Sequence, residues 1–299
     1  AVAHLLYIRF WCKFFADQGY LPFREPVKTL LYNGYINAPD GKKMSKSLGN
    51  VVTPWEVFDK AGSDAARWYF YISNAPWIPT NFNMDTLEDF ERKFMGTLWN
   101  TYAFYVLYAN IDKFDPTKYN LEDCKLTVMD KWLLSKLNSM VKTVDTNLAN
   151  YRIPEAAKAL QEFTDEMSNW YVRRGRERYW VQGETEDKTA AYMTLYTALV
   201  TTAKAAAPMI PFMAEAIYRN LVCSVDKNAP EAVHLCDFPV ADESLINPSL
   251  ESNMDEVIDV VVLGRACRNA AAIKNRQPIA KMYVKAESAV EDSFLPIIA

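Results

Sequence analysis

The chain is 299 residues long, half of it hydrophobic and rich in aromatics (8 Trp, 17 Tyr, 15 Phe), which is enough for two domains with ordinary cores and speaks against disorder. A net charge of −4 supplies no global basic field, so any nucleic-acid contact has to come from a local patch. Five scattered cysteines with no Cys-x-x-Cys pair and two isolated histidines, His4 and His234, speak against a disulfide framework and a zinc site, and no apolar run reaches the roughly 18 residues of a membrane span.

Residues 2 to about 18 are apolar on nearly every face, which predicts a buried helix ended by Gly19 and Pro22. Leu30-Leu31-Tyr32, between Pro26 and Gly34, reads as a short buried parallel strand. The run Gly41-Lys42-Lys43-Met44-Ser45-Lys46-Ser47-Leu48-Gly49-Asn50 follows directly, at the carboxyl end of that strand, where open α/β sheets bind ligands. Its ammonium groups are mobile point charges, its hydroxyls are donors, and glycines on either side free the backbone, so the loop suits closure over a polyphosphate. The competing reading is a solvated Lys/Ser surface turn. Thr53-Pro54-Trp55-Glu56 carries a helix start: Thr53 caps, Pro54 takes the first position and Glu56 completes a capping box. Gly62 stops that helix, and Ser63-Asp64 caps the next. Asn74-Ala75-Pro76-Trp77-Ile78-Pro79 is rigid and extended, and a first domain, 1–78, ends there.

Beyond it the pattern is helical. Leu87, Phe90, Phe94, Leu98, Tyr102 and Tyr105 fall on one stripe, and Met129, Leu133, Leu137, Met140, Val144 and Leu148 on another. Further stripes run from Ala156 to Tyr179, Tyr192 to Ala205 and Met213 to Leu221, and short connections predict antiparallel neighbours in a bundle over 79–248. Ala232-Val233-His234-Leu235 reads as a brief strand or extended exit. A last long helix runs from about Leu250 to Lys274, and Lys281-Met282-Tyr283-Val284-Lys285 alternates like a strand. Within the bundle, Ser168 to Trp180 packs four arginines against one glutamate, a net +3, together with four large aromatics. Leu160, Phe163, Met167, Trp170, Arg174 and Arg178 share one stripe that begins as core, while Arg173 and Arg176 point elsewhere. Arginine forks suit phosphate and aromatic faces stack on unpaired bases, so Arg173 and Arg176 are the first candidates for RNA contact. Trp170, Arg174 and Arg178 stand between two readings, RNA contact and pairing or packing inside the bundle.

Lys43-Met44-Ser45-Lys46-Ser47 resembles the KMSKS signature of class I aminoacyl-tRNA synthetases at all five positions. Within that class, Ser168-Asn169-Trp170-Tyr171-Val172-Arg173-Arg174 resembles the isoleucyl-tRNA synthetase motif. Asp64-Ala65-Ala66-Arg67-Trp68-Tyr69, Gly96-Thr97-Leu98-Trp99-Asn100-Thr101-Tyr102, Ala207-Pro208-Met209-Ile210-Pro211-Phe212 and Lys274-Asn275-Arg276-Gln277-Pro278 are similar to the same family. The resemblance runs from about Leu30 to Val284. The opening, Ala1 to Trp11, departs from it and looks more like the leucyl or valyl branches, which leaves amino-acid specificity open.

The resemblance implies a chain that is α/β and then mostly α. Residues 1–78 would be the C-terminal part of a nucleotide-binding Rossmann-type catalytic domain with the KMSKS loop, 79–248 a helical anticodon-binding domain, and 249–299 the start of a helix/strand junction region. It implies ATP-dependent ligation of isoleucine to its tRNA through isoleucyl-adenylate and pyrophosphate. The alternatives are a leucyl- or valyl-tRNA synthetase, or a module that only binds tRNA. Lys46 would reach the phosphates, Lys43 would support it, Ser45 and Ser47 would donate hydrogen bonds, Gly41 and Gly49 would act as hinges, and Asn50 would stabilise the turn. The tRNA contacts would fall on Arg173, Arg176, Trp170, Arg174 and Arg178. Mg²⁺ would arrive with ATP, and no protein-bound metal is expected. His4 and His234 form no His-x-Gly-His pair, so that signature, the amino-acid pocket and the editing insertion are expected upstream of Ala1. The start without Met and the apolar end at Phe294 to Ile298 read as a piece of something longer. On this reading the isolated chain is inactive in ligation, monomeric, cytoplasmic and free of membranes.

Overall fold

Apolar residues recurring at three and four make most of this chain helical, and local start signals set where each helix begins. The computed structural model describes residues 2–274, 276–285 and 292–298. Ala1 of the opening motif, Asn275 of the Lys274-to-Pro278 motif and the final Ala299 lie outside the described residues. The helix α1 spans Val2–Asp17, and α2 spans Pro54–Ser73 behind the expected capping box. Thr53 Oγ1 accepts the Glu56 N–H at 3.4 Å, and Glu56 Oε2 accepts the Thr53 N–H at 3.0 Å. The break expected at Gly62 is a kink inside α2, with Gly62 at φ +81°. The helices α3 (Met84–Glu91) and α4 (Thr97–Asp112) join through a π-helical turn, Arg92–Gly96. A second capping box, Thr127 with Asp130, opens α5 (Val128–Ala149). The helix α6 (Ile153–Glu166) passes through a π turn, Met167–Val172, into α7 (Arg173–Trp180). Then come α8 (Glu186–Ala206), α9 (Pro211–Tyr218), α10 (Pro248–Ala270) and α11 (Leu295–Ile298).

The stripes are the core. Leu87, Phe94, Leu98, Leu133, Leu137, Met140 and Val144 are all buried, and one continuous apolar cluster runs from α2 to α11. Trp68 of α2 stacks on Phe94 with ring centroids 3.9 Å apart, so α2 shares its core with the bundle. Fully burying a Leu or Phe contributes about 1.5–3 kcal/mol, several times a typical exposed ion pair. Packing therefore holds the bundle, and surface charge does not.

The helix α1 forms but is not buried. Of its described side chains only Cys12 is, while Tyr7 is 67% and Phe10 62% exposed. An apolar surface on every face needs cover on every side; here residues after the helix tie down one side, through Cys12 Sγ to Phe23 O at 3.8 Å and the Arg9–Glu25 ion pair at 2.9 Å. Leu30-Leu31-Tyr32 is exposed and unpaired. The strand lies further on, β1 at Ile36–Asn37, parallel to β2 at Thr80–Asn81, with Ile36 opposite Thr80 and Asn37 opposite Asn81. Among the described residues this pair is the whole sheet, so the expected Rossmann-type sheet is reduced to two short strands. Gly34 explains the shift. Its N–H donates to Pro76 O at 2.7 Å, and a Cβ there would stand 2.4 Å from the Ile78 carbonyl. Only glycine lets the 76–79 backbone come that close, so pairing begins just after it.

Ala232 to Leu235 contains a 3₁₀ turn, Val233–Leu235, in place of a strand. The helix α10 ends at Ala270, short of Lys274, where Arg268 donates to the carbonyls of Lys274 at 3.2 Å and Gln277 at 2.7 Å. Lys281 to Lys285 has no strand partner among the described residues, and alternation without a neighbour makes no ladder. Among the described residues no helix is long and apolar enough to cross a membrane.

Candidate functional site

The strand β1 leads into a tight turn. Ala38 N–H donates to Lys42 O at 2.8 Å, Gly41 N–H to Ala38 O at 2.9 Å, and Asn37 bridges antiparallel to Lys43. Gly41 stands at φ +79°, so it serves a left-handed turn position that side chains avoid. Beyond it Asn50 fastens the loop. Its Oδ1 accepts the Ser45 N–H at 2.9 Å, and its Nδ2 donates to Lys43 O at 3.4 Å. Met44 packs against the main core. The Lys43 ammonium lies 5.4 Å from the Tyr35 ring centroid, and the Ser45 and Ser47 hydroxyls are 2.7 Å apart. Lys46 opens a 3₁₀ turn, Lys46–Leu48, closed by Gly49 at φ +65°. Both lysines are exposed, and among the described residues the Lys46 ammonium has no ion-pair partner. The result is two ammonium groups and two hydroxyls carried on a loop pinned at its base, an arrangement suited to stabilising a polyanion.

The arginine helix separates into two classes. Asp130 is 0% exposed, and Arg178 grips both its oxygens, Nη1 to Oδ1 at 2.7 Å and Nη2 to Oδ2 at 2.9 Å. Tyr171 Oη donates to Asp130 at 2.5 Å, the Thr127 N–H at 2.8 Å and Thr127 Oγ1 at 2.7 Å. Burial pushes the Asp130 carboxyl up, but Arg178 and these hydrogen bonds outweigh it and hold the group below its ordinary value. Burial also works against the Arg178 charge, yet its bonds to Asp130 and Asp187 keep it above the ordinary arginine value. Trp170 is buried, with the Arg174 guanidinium 5.4 Å from its ring centroid, and Arg174 also donates to Ile297 O. Trp170 further lines a cavity in which five carboxylates, Glu162, Asp165, Glu166, Asp255 and Asp259, outnumber two cations, Arg92 and Lys93, a balance that does not favour phosphate. Arg173 and Arg176 are exposed, and among the described residues neither forms an ion pair. So the structure keeps Arg173 and Arg176 at the surface, and draws Trp170 and Arg178, with part of Arg174, into the bundle.

One joint between two of the sequence motifs was not read as a contact. The Asp64 carboxylate does not cap its own helix; it accepts the N–H groups of Phe212 at 3.4 Å and Met213 at 2.7 Å, at the open start of α9. Arg67 donates from Nε to Met209 O at 3.1 Å and from Nη2 to Pro208 O at 2.7 Å. The motifs at 64–69 and 207–212, far apart along the chain, are therefore two halves of one contact. The available signal was that α9 begins at Ile210-Pro211 without a Ser, Thr, Asp or Asn cap of its own. Asp130 had a signal too, a carboxylate three residues after a threonine and inside an apolar stripe. Among the described residues no three His, Cys, Asp or Glu side chains group as a metal site requires.

Residues 130–284 match the family model described as the anticodon-binding domain of tRNA ligase, and residues 7–78 match that of tRNA synthetases class I (I, L, M and V). The isoleucine–tRNA ligase of Clostridium tetani (strain Massachusetts / E88) is 51% identical over 89% of this chain and 26% of its own length. That of Clostridium novyi (strain NT) is 52% identical over 85% of this chain and 24% of its own length. The chain thus spans about a quarter of the length of these curated relatives. A crystal structure of a ternary complex of the Agrobacterium radiobacter K84 agnB2 LeuRS with tRNA and LeuAMS is 22% identical, with a TM-score of 0.64 over 82% of this chain and 28% of that one. At that identity the likeness is one of fold.

Proposed function

The chain belongs to the anticodon-binding domain family of tRNA ligases, and from that premise we propose that it binds tRNA through the exposed face of α7 and supplies the phosphate-binding lysine loop of an ATP-dependent isoleucine–tRNA ligase. The observation that carries the tRNA reading is how the arginines divide: Arg178 is taken up by Asp130 and Asp187, while Arg173 and Arg176 stand exposed and form no ion pair among the described residues. Like charges on one helix repel by a few tenths of a kcal/mol per close pair, and phosphate removes that cost. We assign Trp170 and Arg178 to the packing of the bundle, with Arg174 between the two classes. Isoleucine is preferred to leucine or valine because the relatives that match most of the chain are isoleucine–tRNA ligases.

Adenylate formation is a displacement at the α-phosphate, and charge accumulates on the β- and γ-phosphates as it proceeds. Lys46, with no ion-pair partner to leave among the described residues, is the group that meets them. Lys43 leaves the Tyr35 ring to support it, Ser45 and Ser47 donate, and Asn50 keeps the base of the loop in place. Mg²⁺ enters with ATP as part of the substrate. We assign 1–78 to the catalytic side, 79–248 to anticodon binding and 249–299 to the following junction, in a monomeric, cytoplasmic enzyme. The chain has no His-x-Gly-His element, since His4 and His234 are its only histidines. The 299 residues alone are accordingly expected to bind tRNA and not to activate isoleucine. Filter binding with tRNA and ATP–pyrophosphate exchange test this together: binding without exchange is the expected result, and absence of tRNA binding at low salt overturns the reading.

A further inference from the structure

Arg174 is half-buried, and among the described residues no carboxylate pairs with it. Burial first, and then the positive charges of Arg265 on α10 and neighbouring Arg173, push its pKa below the ordinary arginine value. A cation held among cations is in want of an anion. The surroundings are consistent with one. Arg174, Arg265, Arg268, Arg276 and Lys281 line a single cavity of ≈ 680 Å³ between α10 and the segment after it, with α11 along one side. Its described lining contains no carboxylate. Glu256 and Asp259 of α10 lie instead in the neighbouring cavity, which Arg268 and Lys281 also reach. Arg268 spends part of its fork on the carbonyls of Lys274 and Gln277, whereas Arg265 and Arg276 are exposed and form no ion pair among the described residues.

We propose that this cleft is a second RNA-binding surface, which takes backbone phosphates of the tRNA beside the α7 face. Guanidinium forks match phosphate oxygens in pairs, a set with no carboxylate among its described lining residues favours an anion over a cation, and Arg174 of α7 itself lines the cleft. The assignment rests on the reading that the chain binds tRNA, and it extends that surface to Arg265, Arg268 and Lys281, which lie outside the sequence motifs, and to Arg276, which lies inside one.

The test is the Arg265→Ala/Arg276→Ala double variant of the whole chain, with Arg265→Lys/Arg276→Lys beside it, each measured for tRNA affinity across a salt series and for melting temperature. Each lost phosphate contact makes the slope of log affinity against log salt shallower by about one, so the alanine pair should flatten it by about two. The lysine pair should retain most of the slope, and neither variant should melt early. An unchanged slope in the alanine variant, with wild-type chain binding normally, overturns the cleft alone. No binding by the wild-type chain overturns the tRNA reading and the cleft with it. Inorganic phosphate supplies the last arm. If its ³¹P resonance is broadened by wild type and not by the alanine variant, while tRNA binding is equal in both, the cleft holds a free anion and the RNA assignment fails.

Discussion

Lys46 carries a charge that nothing in the described protein meets, and Arg178 carries one shared between two carboxylates. The two should fail differently. In a full-length protein with the proposed ligase activity, Lys46→Ala is expected to lower adenylate formation by about 10²–10³, roughly 2.7–4 kcal/mol, with little change in the KM for isoleucine. Lys43→Ala should cost less, because Tyr35 already shares that ammonium. Pyrophosphate exchange reads both, and a loss confined to isoleucine KM would contradict the assignment. Arg178→Ala should instead cost about 3–5 kcal/mol of stability, since it leaves Asp130 charged and buried. The pH dependence follows from the sign. A carboxyl whose folded pKa is depressed stabilises the fold above its ordinary value of 3.8 and loses that contribution only as pH falls through the lower folded value. Without Arg178, burial dominates and the folded pKa rises above 3.8, so ionisation then opposes folding. The gap in melting temperature between wild type and Arg178→Ala should be wide at pH 7 and narrow toward pH 4. A constant gap would show that the variant loses packing alone.

At the scale of elements, what was legible is what is local. The stripes of α3 to α5 and the box at Thr53 depend on residues three or four apart and stand where they are expected, whereas the equally local box at Thr127 went unread. Asp64 was misread because its partners lie on α9, beyond anything a helix-start rule can see. The strand was misplaced for a related reason: Leu30-Leu31-Tyr32 has the right composition, but Gly34 decides where the 76–79 backbone comes alongside. Asp64→Ala should therefore uncap α9 and cost about 1–2 kcal/mol, the usual worth of a lost helix cap. Calorimetry would detect it, and a melting temperature equal to wild type would contradict the joint. Asn50→Ala strips partners from the Ser45 N–H and the Lys43 carbonyl. Faster amide exchange at residues 43–47 with an almost unchanged melting temperature is expected, because Met44 still packs against the core while Lys43, Lys46 and Ser47 are exposed.

Across the molecule, the class of the arginine helix was readable from sequence, and so was the division of Arg173 and Arg176 from the stripe that continues the core. The destination of that stripe was not, because a buried carboxylate on another helix is what takes Arg178 inside. Nor was the cleft on α10, since Arg265, Arg268 and Arg276 belong to no single helical face and meet Arg174 only through the fold. The central proposal is that the exposed arginine face of α7 binds tRNA. The most direct measurement is the affinity of the Arg173→Ala/Arg176→Ala double variant for tRNA across a salt series, with its melting temperature recorded alongside. Weaker binding, a log–log salt slope shallower by about two and an unchanged melting temperature are the predicted result. Wild-type affinity and slope, or normal binding with early melting, would contradict it.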